Sequence, residues 1–495
     1  MAAKQLVDMP GRVQTCQNLV GGAWTPSAGR TLEVTSPYTG AVIGHVPLST
    51  PTEVNAAVQA AAAAFPAWRR TPIKERSLPL FKFRELMLGR LDELAHLAAA
   101  EAGKTVAEAR AGALKGLEVV EFALSLQNLD QGGALEVSRG VTCQVAREPL
   151  GVVAAVAPFN FPAMVPLWMF PIAVTLGNCF ILKPSEKVPL TSQLMGELMV
   201  QAGYPAGVFS VVNGNAETVN ALIDAPGVRA VGFVGSTPAA RAVYTRATSQ
   251  GKRALALGGA KNHLIVVPDA DPQVTVRGVV DSFTGCAGQR CMAASLLVAV
   301  GAVEPLLAQI TEAAAATTLG EGMGAIIDRP ALERIRGLIT SATAEGAKLR
   351  LDGRDQAPPL GYEQGHWLAP TILEAASPEM ECAQTEIFGP VLTIVRVKTL
   401  SEALALDSRN AFGNATSVFT TSGAVARQVA DSATCGMVGV NIGVPVPREP
   451  FSFGGTKESK FGQGDITGRA SLDFWSNLKK ITTKWAVQPD HNWMS

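Results

Sequence analysis

The string FTGCAGQRCMA holds the residue best suited to covalent chemistry, Cys291, which follows a glycine-rich, turn-prone stretch and precedes an apolar run that reads as a helix. A thiolate is stabilised at a helix N-terminus and beside a cation, and Arg290 is adjacent. A lone cysteine in an apolar chain is more often an inert core residue, and Cys286, five positions earlier, reads that way. Asn160 stands between Phe159 and Phe161 in a stretch without charge. Leaving a buried amide unbonded costs on the order of 1–3 kcal/mol. Asn160 is therefore either a satisfied structural amide or a donor aimed at a developing oxyanion. In LKPSE, Lys183 and Glu186 follow a buried apolar run. A carboxylate there can accept both hydroxyls of an adenosine ribose and repel a 2′-phosphate, which favours NAD over NADP; the plainer alternative is a solvated turn. VGFVGSTPAAR runs a strand into Gly235, Ser236 and Thr237 and then a helix, so Ser236 is a phosphate contact or an ordinary N-cap. The GxGxxG spacing is absent. Glu386, in QTEIFGPV, precedes an apolar loop as either a cap or a ribose ligand.

These side chains need a scaffold, and one rhythm supplies it: a short β-branched run, a turn of Gly, Pro or Ser, then a helical period. GVVAAVAPFNFP, CFILKPSEKVPLTS, VFSVVNGNAETVNALI and VRAVGFVGSTPAARAVYTRA all follow it. Four such units predict an α/β fold, a doubly wound parallel sheet with helices on its faces. Strands are expected at 151–156 and 179–182, and helices at 52–65, 74–110 and 191–202. After about residue 260 a second α/β series begins, with strands at 264–267, 296–300 and 391–395.

With 495 residues, two or three domains are expected. Lys plus Arg and Asp plus Glu are both 42, so the strongly basic face of a nucleic-acid binder is missing. Hydrophobic residues make up 47%, which excludes disorder as the main state. Charged residues make up only 17%, a hint that some surface is covered in an oligomer. Seven scattered cysteines, with no CxxC pair and no disulfide ladder, predict a reducing, cytoplasmic compartment and no metal site. The first residues show no apolar run of a secretory signal. Residues 149–182 carry no charge, but Pro158, Pro162, Pro166 and Pro171 interrupt them, so a buried strand, loop, helix and strand are expected in place of a membrane span.

APFNFP, ILKPSE, GFVGST, AGQRC and EIFGPV stand in the order and approximate spacing of the aldehyde dehydrogenase superfamily, which the chain resembles from about residue 20 to about residue 485. The resemblance implies that Cys291 attacks an aldehyde while Asn160 and the main-chain N–H of Cys291 hold the oxyanion. It implies that Lys183 and Glu186 bind the adenosine ribose of NAD and that Ser236 meets the pyrophosphate. Glu386 would hold the nicotinamide ribose, Phe388 would pack near the nicotinamide, and Phe159 joins this cofactor-binding set. It also implies an aldehyde dehydrogenase-like fold: a Rossmann-type NAD domain (17–126 and 147–258), a catalytic domain (259–455), and a small β region for a homotetramer or homodimer. That region comprises residues 127–146 and 471–495, with strands near 127–146 and 477–490.

One departure bears on the chemistry. Hydrolytic members of that superfamily carry a glutamate in an ELGGK-like motif to activate water, whereas this chain reads LGGAKN with Leu257 at that place. Leucine accepts no proton, so an acyl-enzyme would await a better nucleophile than water, and a thiol is the natural one. GAKNH, AGQRCMA, VGVN and VPVP resemble the CoA-acylating branch that oxidises methylmalonate and malonate semialdehydes, which implies coenzyme A as co-substrate. In that branch two arginines hold the substrate carboxylate. One matches Arg290; the other aligns with Lys115, which keeps the charge but lacks the bidentate fork and reads equally well as a solvated helix residue. The competing expectations are a hydrolytic dehydrogenase, an acylating dehydrogenase for another aldehyde, and a catalytically silent protein that kept the fold.

Overall fold

In a computed structural model describing residues 5–129 and 132–485, the charge-free segment forms the centre of the molecule. It supplies the strand Val152–Val156, the helix Met164–Thr175 and the strand Cys179–Lys183, all buried. Pro166 lies in the helix's first turn, where a missing N–H costs nothing. Asn178, fully buried, closes the segment: its Oδ1 accepts from the amides of Leu150 and Gly151, and its Nδ2 donates to the carbonyls of Ala173 and Trp475.

Five parallel strands run side by side in the order Arg253–Leu257, Val228–Val234, Val152–Val156, Cys179–Lys183, Phe209–Val211. Short antiparallel strands, Lys460–Phe461 at one edge and Asn18–Val20 with Ala23–Thr25 at the other, complete an eight-stranded sheet. The strand earliest in the chain among the five lies in the middle, so the winding reverses beside it. Strand ends diverge at such a reversal and leave a crevice.

A second, seven-stranded sheet has the order Lys348–Leu351, Thr371–Glu374, Val391–Val397, Ala294–Val300, Asn262–Val266, Ala415–Phe419, Met437–Val440, parallel except at its first strand. A third sheet pairs Gly133–Ser138, Val141–Pro149 and Ser476–Lys484 antiparallel, with Leu135, Val137, Leu478 and Ile481 exposed. The part of the expected 477–490 strand after residue 485 lies outside the described residues.

Two expectations are corrected. Residues 74–110 do not form one helix: Ile73–Gly89 and Leu91–Ala102 are separated at Arg90, and Val106–Leu124 starts anew. Gly103 ends the second at φ 73°, where a Cβ would lie 2.7 Å from the Ala325 carbonyl oxygen, and Thr105 opens the third with a capping box to Glu108. Apolar periodicity continues across both breaks and conceals them. The stretch after Cys291 is not helical; a turn leads directly into the strand Ala294–Val300. Its β-branched and alanine-rich sequence suits either state, and neighbours on both sides decide for the sheet. Among the described residues, no helix is long and apolar enough to cross a membrane.

Candidate active site

A cavity of about 560 Å³ opens where the strands Val152–Val156 and Val228–Val234 end, the crevice that the reversal of strand order creates. Phe159, Asn160, Lys183, Glu186, Ser236, Cys291, Glu386 and Phe388, eight of the ten residues singled out by type and motif, line it together.

At one end, Lys183 caps a buried strand and its Nζ donates to Glu186 Oε2 at 3.0 Å. Burial pulls the Glu186 carboxyl upward, but the charges of Lys183 and Lys187 outweigh this and hold it below the ordinary carboxylate range. It is therefore an ionised acceptor near neutrality, fit for a pair of hydroxyls. Ser236 precedes the helix Thr237–Ser249 and makes no side-chain capping bond, which leaves the hydroxyl and the first helical amides for an anion.

At the other end, Cys291 follows the tight turn Gly285–Gly288, in which Cys286 and Ala287 stand at φ 54° and 51°. At Gly288, also left-handed, a Cβ would lie 1.9 Å from the Gly389 carbonyl oxygen, so no side chain fits. Asn262 and Asn414 donate their side-chain amides to the Cys291 carbonyl at 2.7 and 2.8 Å and fix the main chain of the nucleophile. Asn160 Nδ2 donates to the Gln289 carbonyl at 3.0 Å. An amide nitrogen carries two N–H donors, so one is spent on orientation and one remains. Gln289 is itself locked: its Nε2 donates to the carbonyls of Cys286 and Ala325, and its Oε1 accepts from the Ile327 amide.

Burial pushes the Cys291 thiol up to about 12, and the nearby Glu386 carboxylate adds to the rise; its own main-chain amide and Arg290 oppose it. Burial likewise raises Glu386 to about 7 against the Ala260 amide, which donates to it at 2.9 Å, and the charges of Lys261 and Arg334. Lys261, also buried, is brought down to about 8 and donates to the Cys382 carbonyl. Phe159 and Phe388 meet edge to face at 5.8 Å across the cavity wall. Leu257 is buried as the last residue of its strand, and the neighbouring Gly258 and Gly259 form the wall beside it.

The structure does not bring Arg290 or Lys115 into this wall. Arg290 folds back over Gly285 and donates to the carbonyls of Asp281 and Ser282. Lys115 is ion-paired with Glu118 at 2.6 Å and Glu449 at 3.5 Å. It lies one helical turn after Gly112, where a Cβ would come within 3.6 Å of the Phe161 ring in the wall. Sequence reasoning missed Gln289 and Asn414 as supports: Gln289 stands within AGQRC but was given no role, and Asn414 stands in no motif. Asn262 lies within GAKNH and was legible only as part of that motif.

The profile of the aldehyde dehydrogenase family matches residues 24–481. A mitochondrial acylating methylmalonate-semialdehyde dehydrogenase of Arabidopsis thaliana is 44% identical over 97% of this chain and 80% of its own length. Malonate-semialdehyde dehydrogenase 1 of Geobacillus kaustophilus is 42% identical over 95% and 97%. Among solved structures, a Sinorhizobium meliloti protein complexed with NAD superposes with a TM-score of 0.94 at 39% identity, covering 97% of this chain and 99% of its own. A methylmalonate-semialdehyde dehydrogenase of Oceanimonas doudoroffii does so with 0.94 at 40% identity, covering 96% and 99%.

Proposed function

The chain belongs to the aldehyde dehydrogenase family, and from that premise we propose that it is an NAD-dependent, CoA-acylating dehydrogenase that converts malonate or methylmalonate semialdehyde to acetyl-CoA or propionyl-CoA with loss of carbon dioxide. The observation that carries this reading is the pairing of a complete thiol and oxyanion site, Cys291 with Asn160, with an aliphatic Leu257 where water would otherwise be activated.

The donor set fits a dinucleotide. Ionised Glu186 with Lys183 takes the adenosine diol, Ser236 and the helix start behind it take the pyrophosphate, and Glu386 takes the second ribose, with Phe159 and Phe388 enclosing the reacting end. Bound there, NAD supplies the hydride acceptor. The chain's own groups do the rest. Cys291 Sγ adds to the aldehyde carbon, and its high resting affinity for a proton means that a base must take that proton first. Glu386, titrating near neutrality in the same cavity, is the group available. The free Asn160 N–H and the Cys291 main-chain N–H stabilise the oxygen as it becomes negative. After oxidation the acyl group is a thioester on Cys291. A carboxylate β to its carbonyl leaves as carbon dioxide because the electrons delocalise onto that same oxygen, which the same donors hold; the enolate so formed takes a proton from water at its α-carbon and becomes the acetyl or propionyl thioester. The thiolate of coenzyme A then attacks the carbonyl, and Cys291 departs as leaving group.

Lys115, one turn after the Gly112 that packs on Phe161, takes the substrate carboxylate in exchange for Glu449; Arg290 holds the carbonyls of Asp281 and Ser282 in this structure. Residues 17–126 and 147–258 form the NAD-binding part and 259–455 the part that carries the nucleophile. The exposed Leu135, Val137, Leu478 and Ile481 of the small sheet support its role in a homodimer or homotetramer. The test is product identity: acyl-CoA and carbon dioxide should each appear in equal amount with NADH. Free acetate or propionate as the main product would favour the hydrolytic reading.

A further inference from the structure

Behind the wall of the active site lies a buried lysine with no carboxylate partner among the described residues. Lys104 is 3% exposed, and its Nζ meets two groups: it donates to Cys286 Sγ at 2.8 Å and sits 3.6 Å from the centroid of the Phe161 ring. Phe161 follows Asn160 directly and lines the cavity. Cys286 begins the left-handed pair Cys286–Ala287 of the turn that delivers Cys291. One side chain thus touches both halves of the oxyanion site, the segment that carries the side-chain donor and the turn that carries the main-chain donor.

The neighbouring contacts make this a fixed joint. The Lys104 carbonyl accepts from the Tyr38 hydroxyl at 2.7 Å. Thr105 caps the helix Val106–Leu124, and Glu108, which completes that cap, also accepts the Cys286 amide through Oε1 at 2.6 Å. The Cys286 carbonyl accepts the Gln289 amide at 3.0 Å, and the Gln289 carbonyl accepts Asn160 Nδ2. The path from Lys104 through Cys286 and Gln289 to Asn160 is continuous. Residues held at positive φ persist in that conformation only where their surroundings fix it, and at Cys286 the side-chain contact comes from Lys104.

We propose that Lys104 is a positioning residue for the oxyanion site, setting the separation of Asn160 and Cys291 through its joint hold on Phe161 and the Cys286 sulfur. The proposal rests on the reading of Asn160 and Cys291 as the acyl-transfer pair. It reassigns Cys286 from a passive core residue to the acceptor of that hold.

The test uses the full-length protein, its native aldehyde reaction and two independent readouts. Lys104→Met keeps the aliphatic stem and removes the donor. It should slow the burst of NADH formation about 100-fold, the scale on which a misplaced reacting group is felt. NAD affinity, aldehyde KM and melting temperature should stay close to wild type. Cys286→Ser, which keeps an acceptor, should retain the burst, whereas Cys286→Ala should slow it as Lys104→Met does. The two losses should not add in the double variant. A Lys104→Met burst at the wild-type rate overturns the proposal, as does a loss that follows melting temperature and NAD affinity together. If Lys104→Met does not fold, the serine and alanine variants at 286 decide alone: equal rates overturn it. Absence of CoA-dependent turnover in the wild-type protein is a separate result and counts against the functional reading.

Discussion

The carbonyl of Leu257 accepts the Gly235 amide at 3.1 Å, which makes Leu257 a paired strand residue at the brink of the cavity, with an aliphatic side chain buried beneath the wall. The Leu257 side chain accepts no proton, and the rest of the site is equipped for forming a thioester. Replacing Leu257 with glutamate supplies an acceptor. We expect Leu257→Glu to turn over aldehyde slowly without coenzyme A, where the wild type stops after one equivalent of NADH. It should also lose stability, because a carboxylate is placed among apolar groups. Steady-state NADH release without coenzyme A checks this.

Cys291, pushed up to about 12 by burial and then by Glu386, is a protonated thiol in the free protein near neutrality. Only the thiolate alkylates, and below its midpoint the thiolate fraction grows about tenfold per pH unit, so inactivation by iodoacetamide should accelerate about 100-fold between about pH 7 and 9. Pseudo-first-order inactivation rates test this. Glu386→Gln removes the group that takes the thiol proton and should slow the NADH burst. Cys291→Ala should abolish NADH formation and leave NAD binding intact.

Glu186 is held ionised by Lys183 and faces the cavity. Glu186→Ala should raise the KM for NAD about tenfold, on the order of 1.4 kcal/mol, and narrow the preference over NADP, because the charge that repels a 2′-phosphate is gone. Initial rates with each nucleotide at fixed aldehyde and coenzyme A measure it.

Lys115 is paired with Glu449 at 3.5 Å beside the helix turn that packs on Phe161. Lys115→Met should raise the KM for malonate semialdehyde about tenfold while leaving that for propanal unchanged, since only the former brings a carboxylate. A parallel rise for both aldehydes would mean that Lys115 serves the helix alone.

Asn178 satisfies two amides and two carbonyls at the join of the central strands, with none of its surface exposed. Asn178→Ala should cost about 3 kcal/mol, because the groups left unbonded cannot reach water. Thermal unfolding of the apo protein reads this loss.

Much of this site was legible because its chemistry is written in local strings. The strand before Lys183, the turn at Ser236 and the run around Asn160 carry their own periodicity and punctuation, and each occurs where the parallel sheet ends. What stayed hidden was set by distant contacts. The break at Gly103 follows from the approach of Ala325, more than two hundred residues away. The strand after Cys291 follows from its neighbours Asn262–Val266 and Val391–Val397. The grip of Asn414 on the Cys291 carbonyl comes from the residue just before the strand Ala415–Phe419 and leaves no trace in spacing. Arg290 was legible as a cation but not in its direction, since only the folded turn shows it turned back over Gly285.

The central claim is that water cannot release the acyl group from Cys291 and a thiol can. The most direct measurement is a rapid-mixing record of NADH formation from malonate semialdehyde under saturating NAD, with and without coenzyme A. The account predicts a burst of one equivalent per active site that stops without coenzyme A and becomes sustained turnover when it is added. Sustained turnover without coenzyme A would contradict it.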